Sequence, residues 1–166
     1  LLEQRLAQGA YNNTFQLLYG KNQEENQRAR YQAVLGGFRK TFPGTKDVEL
    51  FSAPGRTELG GNHTDHQHGC VVAASVDLDV VAAAGVNGEQ VIRILSEGYP
   101  MVQVSLDSLS IVEEEKNTTN ALIRGVAAGM RERGYQVGGF DAYVTSNVLQ
   151  GSGLSSSAAF EVMVGT

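Results

Sequence analysis

The distribution of glycine constrains this chain most. Glycine fills 20 of 166 positions, well above the roughly 7% of an ordinary globular sequence. Many of these residues gather around 55–69 and 134–153. Glycine loses more backbone entropy on ordering than any other residue, so such clusters mark tight turns or close backbone approaches. The regular elements must therefore be arranged around two irregular, glycine-rich regions.

Periodicity places those elements. Residues 1–42 read as helical: Leu2, Leu6 and then Phe15, Leu18 have helix spacing, and Tyr31, Val34, Leu35 and Phe38 share one face. Pro43-Gly44 ends that segment. Residues 48–51 predict a short strand running into Ala53-Pro54-Gly55, and 71–72, 78–84, 91–95 and 101–106 predict further strands. Asn87-Gly88 predicts a hairpin between the 78–84 and 91–95 strands. A helix follows, capped by Asn117, Thr118 or Thr119, striped by Leu122, Val126 and Met130, and closed by Gly134. Residues 140–146 alternate as a strand, and a last helix starts near Leu154. Strands mixed with one or two helices on this scale predict an α+β layered domain.

The hydrophobic fraction of 42% fits a folded globular chain, and the length suits a single domain. A net charge of −5 does not suggest a nucleic-acid or acidic-membrane partner. No apolar run approaches the roughly 20 residues of a membrane span. With Cys70 alone no internal disulfide can form, which points to a reducing, cytoplasmic setting. The opening Leu-Leu without Met and the stop at Thr166, inside an apolar helical run, predict a fragment.

Two segments carry chemistry. In the first, Gly151, Ser152, Gly153, Leu154, Ser155, Ser156 and Ser157 lead from a strand into a helix. Glycines admit a bulky anion to the backbone, and free amides at a helix start supply about half a positive charge. No Lys or Arg occurs from 134 to 166, which excludes a Walker-type loop with its lysine. Phosphate held here would depend on amides, hydroxyls and a metal. A Gly/Ser turn that merely caps a helix is the plainer alternative.

The second segment, 53–69, gathers Arg56, Glu58, Asn62, His63, Thr64, Asp65, His66 and His68 among its glycines. Arg56 is the sole Lys or Arg between Asp47 and Ile92, and a lone guanidinium beside hydroxyl-binding groups suits an anionic reacting centre. The histidines with Asp65 could ligate zinc, although their spacing fits no helical pair or zinc finger. His66 and His68 read better as loop-surface or packing residues. Cys70 reads as a buried, inert thiol, and Glu113, Glu114 and Glu115 as a solvated run.

Together these segments resemble the galactokinases, within the GHMP family of small-molecule kinases. Pro54-Gly55-Arg56 followed by His63-Thr64-Asp65 is similar to the galactokinase signature, and the stretch from Gly151 to Ala159 to the family's phosphate loop. The resemblance implies a ribosomal-protein-S5-like α+β fold preceded by N-terminal helices. One N-terminal domain would fill 1–166, with the helical segment at 1–42, the sugar motif at 53–69 and the phosphate loop at 149–159. It implies ATP and Mg2+ as cofactors, and phosphorylation of galactose at the anomeric hydroxyl. By position, Gly151 to Ser157 would cradle phosphate, Ser157 would contact the metal, and Arg56 would stabilise charge at the reacting oxygen. Asn62, His63, Thr64 and Asp65 would line the sugar site.

The chain departs from the family pattern at three of these positions. Asn62 stands where Glu is usual, Glu58 where Asn is usual, and His66 where Tyr is common. A 1-kinase for galacturonate or arabinose, a non-catalytic sugar and ATP sensor, and a metal-dependent hydrolase built on the histidines are the competing readings. The resemblance puts the catalytic Asp, a second metal carboxylate and the C-terminal domain beyond Thr166, so a fragment ending there is expected to lack turnover.

Overall fold

A computed structural model describes residues 2–61, 68–149, 151 and 153–166. Three helices open the chain: α1 (Leu2–Ala7), α2 (Asn12–Tyr19) and α3 (Glu24–Thr41). Strands β1 (Glu49–Gly60), β2 (Val72–Val86), β3 (Val91–Ser96) and β4 (Val102–Ser105) follow, then α4 (Thr119–Glu132), β5 (Phe140–Ser146) and α5 (Ser156–Gly165). The five strands form one sheet in the order β1-β2-β5-β3-β4. Its pairs are antiparallel except β3 with β5, which run parallel.

The sheet is covered on both faces, and β2 shows why. Val80, Val81, Ala82 and Ala83 are all buried, and successive side chains of a strand point to opposite faces. Val81 and Ala83 pack with Tyr31, Val34, Leu35 and Phe38 of α3 and with Leu6, Phe15 and Tyr19. Val80 and Ala82 pack with Ile123 and Ala127 of α4, Ala159 and Met163 of α5, and Val148. The result is the α+β fold expected from the sequence, with helices on either side of a mixed sheet.

Several local expectations need correction. The N-terminal stripe includes Leu6 and Phe15, but Leu18 is 45% exposed and Tyr19 takes its place in the core. In α4 the buried residues are Ile123 and Ala127, so Leu122, Val126 and Met130 flank the contact rather than make it. Thr118 is the N-cap, its hydroxyl accepting from the Ala121 amide at 3.4 Å. Residues 48–51 were too short a strand, because β1 continues through Pro54; likewise 71–72 and 78–84 are parts of one strand. Pro54 is tolerated because β1 lies at the sheet edge, where a missing donor costs little.

The predicted Asn87-Gly88 hairpin does not form a ladder. The chain turns there, with Gly88 at φ +74°, but β5 lies between β2 and β3 in the sheet. Gly139 makes this possible: a Cβ on it would stand 2.2 Å from the Glu89 carbonyl oxygen and 2.5 Å from that of Val91. Asn87 closes the junction by donating to the Val91 carbonyl at 3.0 Å and to Asp141 Oδ1 at 2.9 Å.

Two buried carboxylates tie the layers together. Asp79 on β2 accepts from Tyr19 at 2.5 Å, Ser52 at 2.5 Å and Arg30 at 2.6 Å, which fastens the N-terminal helices to the sheet. Burial first, then the Asp79 bond, raises the Tyr19 pKa. Asp141 on β5 accepts from Thr45 at 2.7 Å and Arg93 at 2.7 Å as well as from Asn87. Burial opposes its ionisation, but the bonds from Arg93, Asn87 and Thr45 together outweigh this and hold its pKa below the ordinary value.

Candidate functional site

The site forms where β1 meets the loop ahead of α5. Between Pro54 and Arg56 the β1–β2 register shifts: Pro54 opposes Asp79, but Arg56 opposes Ser75. Such irregularities bend a strand and re-aim its side chains. At the shift, Gly55 lies so close to the loop that a Cβ would stand 3.1 Å from the Leu154 carbonyl oxygen and 3.2 Å from Val148. The absence of a side chain lets strand and loop touch. The Arg56 amide donates to the Leu154 carbonyl at 3.0 Å, making that contact a backbone hydrogen bond.

The Arg56 side chain reinforces this joint. Its Nη2 donates to Ser155 Oγ at 2.9 Å and pairs with Glu58 Oε1 at 2.8 Å. A loop with no basic residue of its own thus receives one from a strand 99 positions earlier. In the sequence Glu58 stood out as one of the polar residues of 53–69 and as a departure from the family pattern, with no contact to Arg56 foreseen. Its contact with Arg56 follows from strand periodicity, since residues two apart share a face.

Three described residues of the loop are left-handed, with φ of +74° at Gly151, +76° at Gly153 and +58° at Ser155. Left-handed residues in such a turn can aim neighbouring amides toward one concavity, a common anion-binding geometry. Among the described residues no neighbouring atom lies within 4 Å of a Cβ built on Gly151 or Gly153, and the dihedral angle is what favours glycine there. Ser155 is the N-cap position of α5 but makes no side-chain capping bond; its hydroxyl accepts from Arg56 instead. The first bond of the helix runs from the Ala159 amide to the Ser155 carbonyl at 3.0 Å. The amides of Ser156, Ser157 and Ala158 precede it and lack helical partners.

Of the sequence-predicted site residues, Arg56, Gly151, Gly153, Leu154, Ser155, Ser156 and Ser157 fall in this region, with Ser157 exposed on the first turn of α5. Asn62, His63, Thr64, Asp65, His66 and Ser152 lie outside the described residues. His68 is exposed, in keeping with a loop surface. Cys70 is exposed too, correcting the expectation of a buried thiol. Glu115 is no mere solvated charge, for it pairs with Arg124 of α4 at 2.7 Å. Among the described residues no group of three His, Cys, Asp or Glu could hold a metal ion, and no helix is long and apolar enough to cross a membrane.

Comparison with known proteins assigns both halves of this joint. Residues 37–86 match the galactokinase galactose-binding signature, and 120–166 match the GHMP kinases N-terminal domain. Lactococcus lactis galactokinase, solved in complex with galactose, superposes with a TM-score of 0.74 at 29% identity, over 81% of this chain and 35% of that one. The chain therefore spans about a third of that relative's length. Methanococcus jannaschii mevalonate kinase gives a TM-score of 0.58 at 14% identity, over 71% of this chain and 38% of that one. A D-glycero-D-manno-heptose 1-phosphate kinase from Bacteroides thetaiotaomicron gives 0.53 at 20%, over 72% and 40%. These last two likenesses extend the fold to kinases of other small molecules. The chain is thus similar to the GHMP kinases in two stretches, to the galactokinase galactose-binding signature over 37–86 and to the N-terminal domain over 120–166.

Proposed function

We propose that this chain supplies the sugar site and phosphate loop of an ATP-dependent galactokinase, which phosphorylates galactose at its anomeric hydroxyl. The observation that carries the reading is the joint between Arg56 and Ser155. It puts the guanidinium of the galactose-binding signature against the start of the helix that follows the glycine-serine loop. A sugar hydroxyl and a terminal phosphate would then approach one another beside a fixed positive charge.

The residues present fit that chemistry. Amides around Gly151 and Gly153 and at the first turn of α5 would hold phosphate oxygens. The Ser157 hydroxyl is a hard oxygen donor of the type magnesium accepts, with phosphate oxygens and water completing its shell. Bound ATP and Mg2+ would supply the transferable phosphoryl group and a cation that spreads its charge. Arg56 would neutralise charge developing at the reacting oxygens, and Ser155 would fix the guanidinium's direction. Asn62, His63, Thr64 and Asp65 would orient the sugar, with Asp65 accepting from ring hydroxyls. On this reading 1–166 is one N-terminal domain, and no residue within it is assigned as the general base.

The test is a substrate panel on the full polypeptide that carries this domain. Galactose should give the highest kcat/KM among galactose, galacturonate, arabinose and glucose. A preference for galacturonate would instead tie Asn62 to a carboxylated substrate, and no transfer to any sugar would remove the kinase reading.

A further inference from the structure

Glu58 and Arg56 stand two residues apart on β1, on one face of the strand. Their contact is open to solvent on one side only: the Arg56 side chain is 49% exposed, but that of Glu58 is 20% exposed. Both contacts of Arg56 described above use the same nitrogen. Nη2 donates to Ser155 Oγ, and Glu58 Oε1 stands against the same nitrogen at ion-pairing distance. An anion that approaches Nη2 therefore meets the Glu58 carboxylate as a competitor.

The charge balance sharpens the point. Arg56 is the one Lys or Arg from 48 to 91, and 134–166 has none. The carboxylate at 2.8 Å therefore offsets the single cation that these two segments bring to the loop. We infer that Glu58 is a positioning residue for Arg56, holding the guanidinium against Ser155 and offsetting its charge before phosphate arrives. This rests on the kinase reading above. Glu58 then weakens nucleotide binding in the ground state and improves the placement of Arg56 during transfer. The two effects have opposite signs, and a purely structural role would not separate them.

The experiment measures binding of a non-hydrolysable ATP analogue with Mg2+, together with steady-state kinetics, in the full polypeptide. Glu58→Gln removes the charge and keeps the shape, and Glu58→Asn shortens the side chain as well. Both should bind the analogue about three- to tenfold more tightly, as loss of one partly screened neighbouring charge allows. Both should lower kcat about tenfold through looser placement. In an Arg56→Ala background the further change Glu58→Gln should alter kcat by less than about twofold, since Glu58 acts through Arg56. Unchanged affinity and kcat in both variants would overturn the inference while leaving the kinase reading intact. Weaker analogue binding would overturn it as well, by putting the carboxylate on the metal. A kcat loss that persists without Arg56 would do the same. A wild-type protein that binds no nucleotide would remove the kinase reading and the inference together.

Discussion

Arg56 donates to the Ser155 hydroxyl at 2.9 Å while its own amide is bonded to the Leu154 carbonyl at 3.0 Å. Strand and loop are thus joined twice, once through backbone and once through side chain. The side-chain link can be removed without the backbone one. Arg56→Ala should lower kcat of the full polypeptide by about 10²-fold, the usual effect of deleting one preorganised charge-stabilising donor. Sugar affinity should change far less. Kinetics and equilibrium sugar binding on the same variant check this, and a near-normal kcat would take Arg56 out of the reaction.

Gly153 has φ +76°, and no atom of the described residues lies within 4 Å of where a Cβ would stand. Gly153→Val should weaken nucleotide binding at least about tenfold, since a β-branched residue held in that region costs about 1–3 kcal/mol. Sugar binding should persist. Calorimetric titration with each ligand separates the two effects, and normal nucleotide affinity would place the phosphates elsewhere.

Much of the architecture was legible because it is local. Tyr31, Val34, Leu35 and Phe38 sit three and four apart, and all four are buried as the helix pattern predicts. The bounds of β5 were also readable, from alternation across 140–146. What failed was non-local. The Asn87-Gly88 turn looked like a hairpin because nothing nearby shows that β5, some 50 residues on, would enter between its strands. Asp79 and Asp141 were unremarked because their partners Tyr19, Arg30, Thr45 and Arg93 come from 48 to 96 positions away. In the candidate site, the lack of a basic residue in the loop was plain from sequence. That Arg56 fills the lack was not, because the contact depends on a register shift and on Gly55 having no side chain.

Asp79 is 2% exposed and receives four hydroxyl or guanidinium bonds through its side chain and carbonyl. Asp79→Ala removes the carboxylate that pairs with Arg30, whose side chain is 15% exposed, and leaves it only the backbone carbonyl of position 79. It should cost about 3–5 kcal/mol, the range for breaking a buried ion pair from one side. Denaturant unfolding measures this. A loss below about 0.5 kcal/mol, typical of surface substitutions, would show that the N-terminal helices do not depend on the contact.

The lowered pKa of Asp141 has a definite pH signature. Its folded value lies below the unfolded reference of 3.8, so the ionised carboxylate stabilises the fold at and above that pH. The contribution is lost as pH falls through the folded value. Asp141→Asn should therefore be less stable than wild type at neutral pH, and the difference in Tm should shrink as pH drops below 3.8. A difference that stays constant across that window would assign the effect to shape rather than charge.

The most direct test of the account is the position of the phosphate on the product. The full polypeptide, given ATP, Mg2+ and galactose, should yield a phosphomonoester whose phosphorus couples to the anomeric proton in the 31P NMR spectrum. Galactose 1-phosphate formed at rates typical of enzymes, about 1 to 10³ per second, is the expected result. Phosphate at any other sugar position, or none on the sugar under those conditions, would contradict the account.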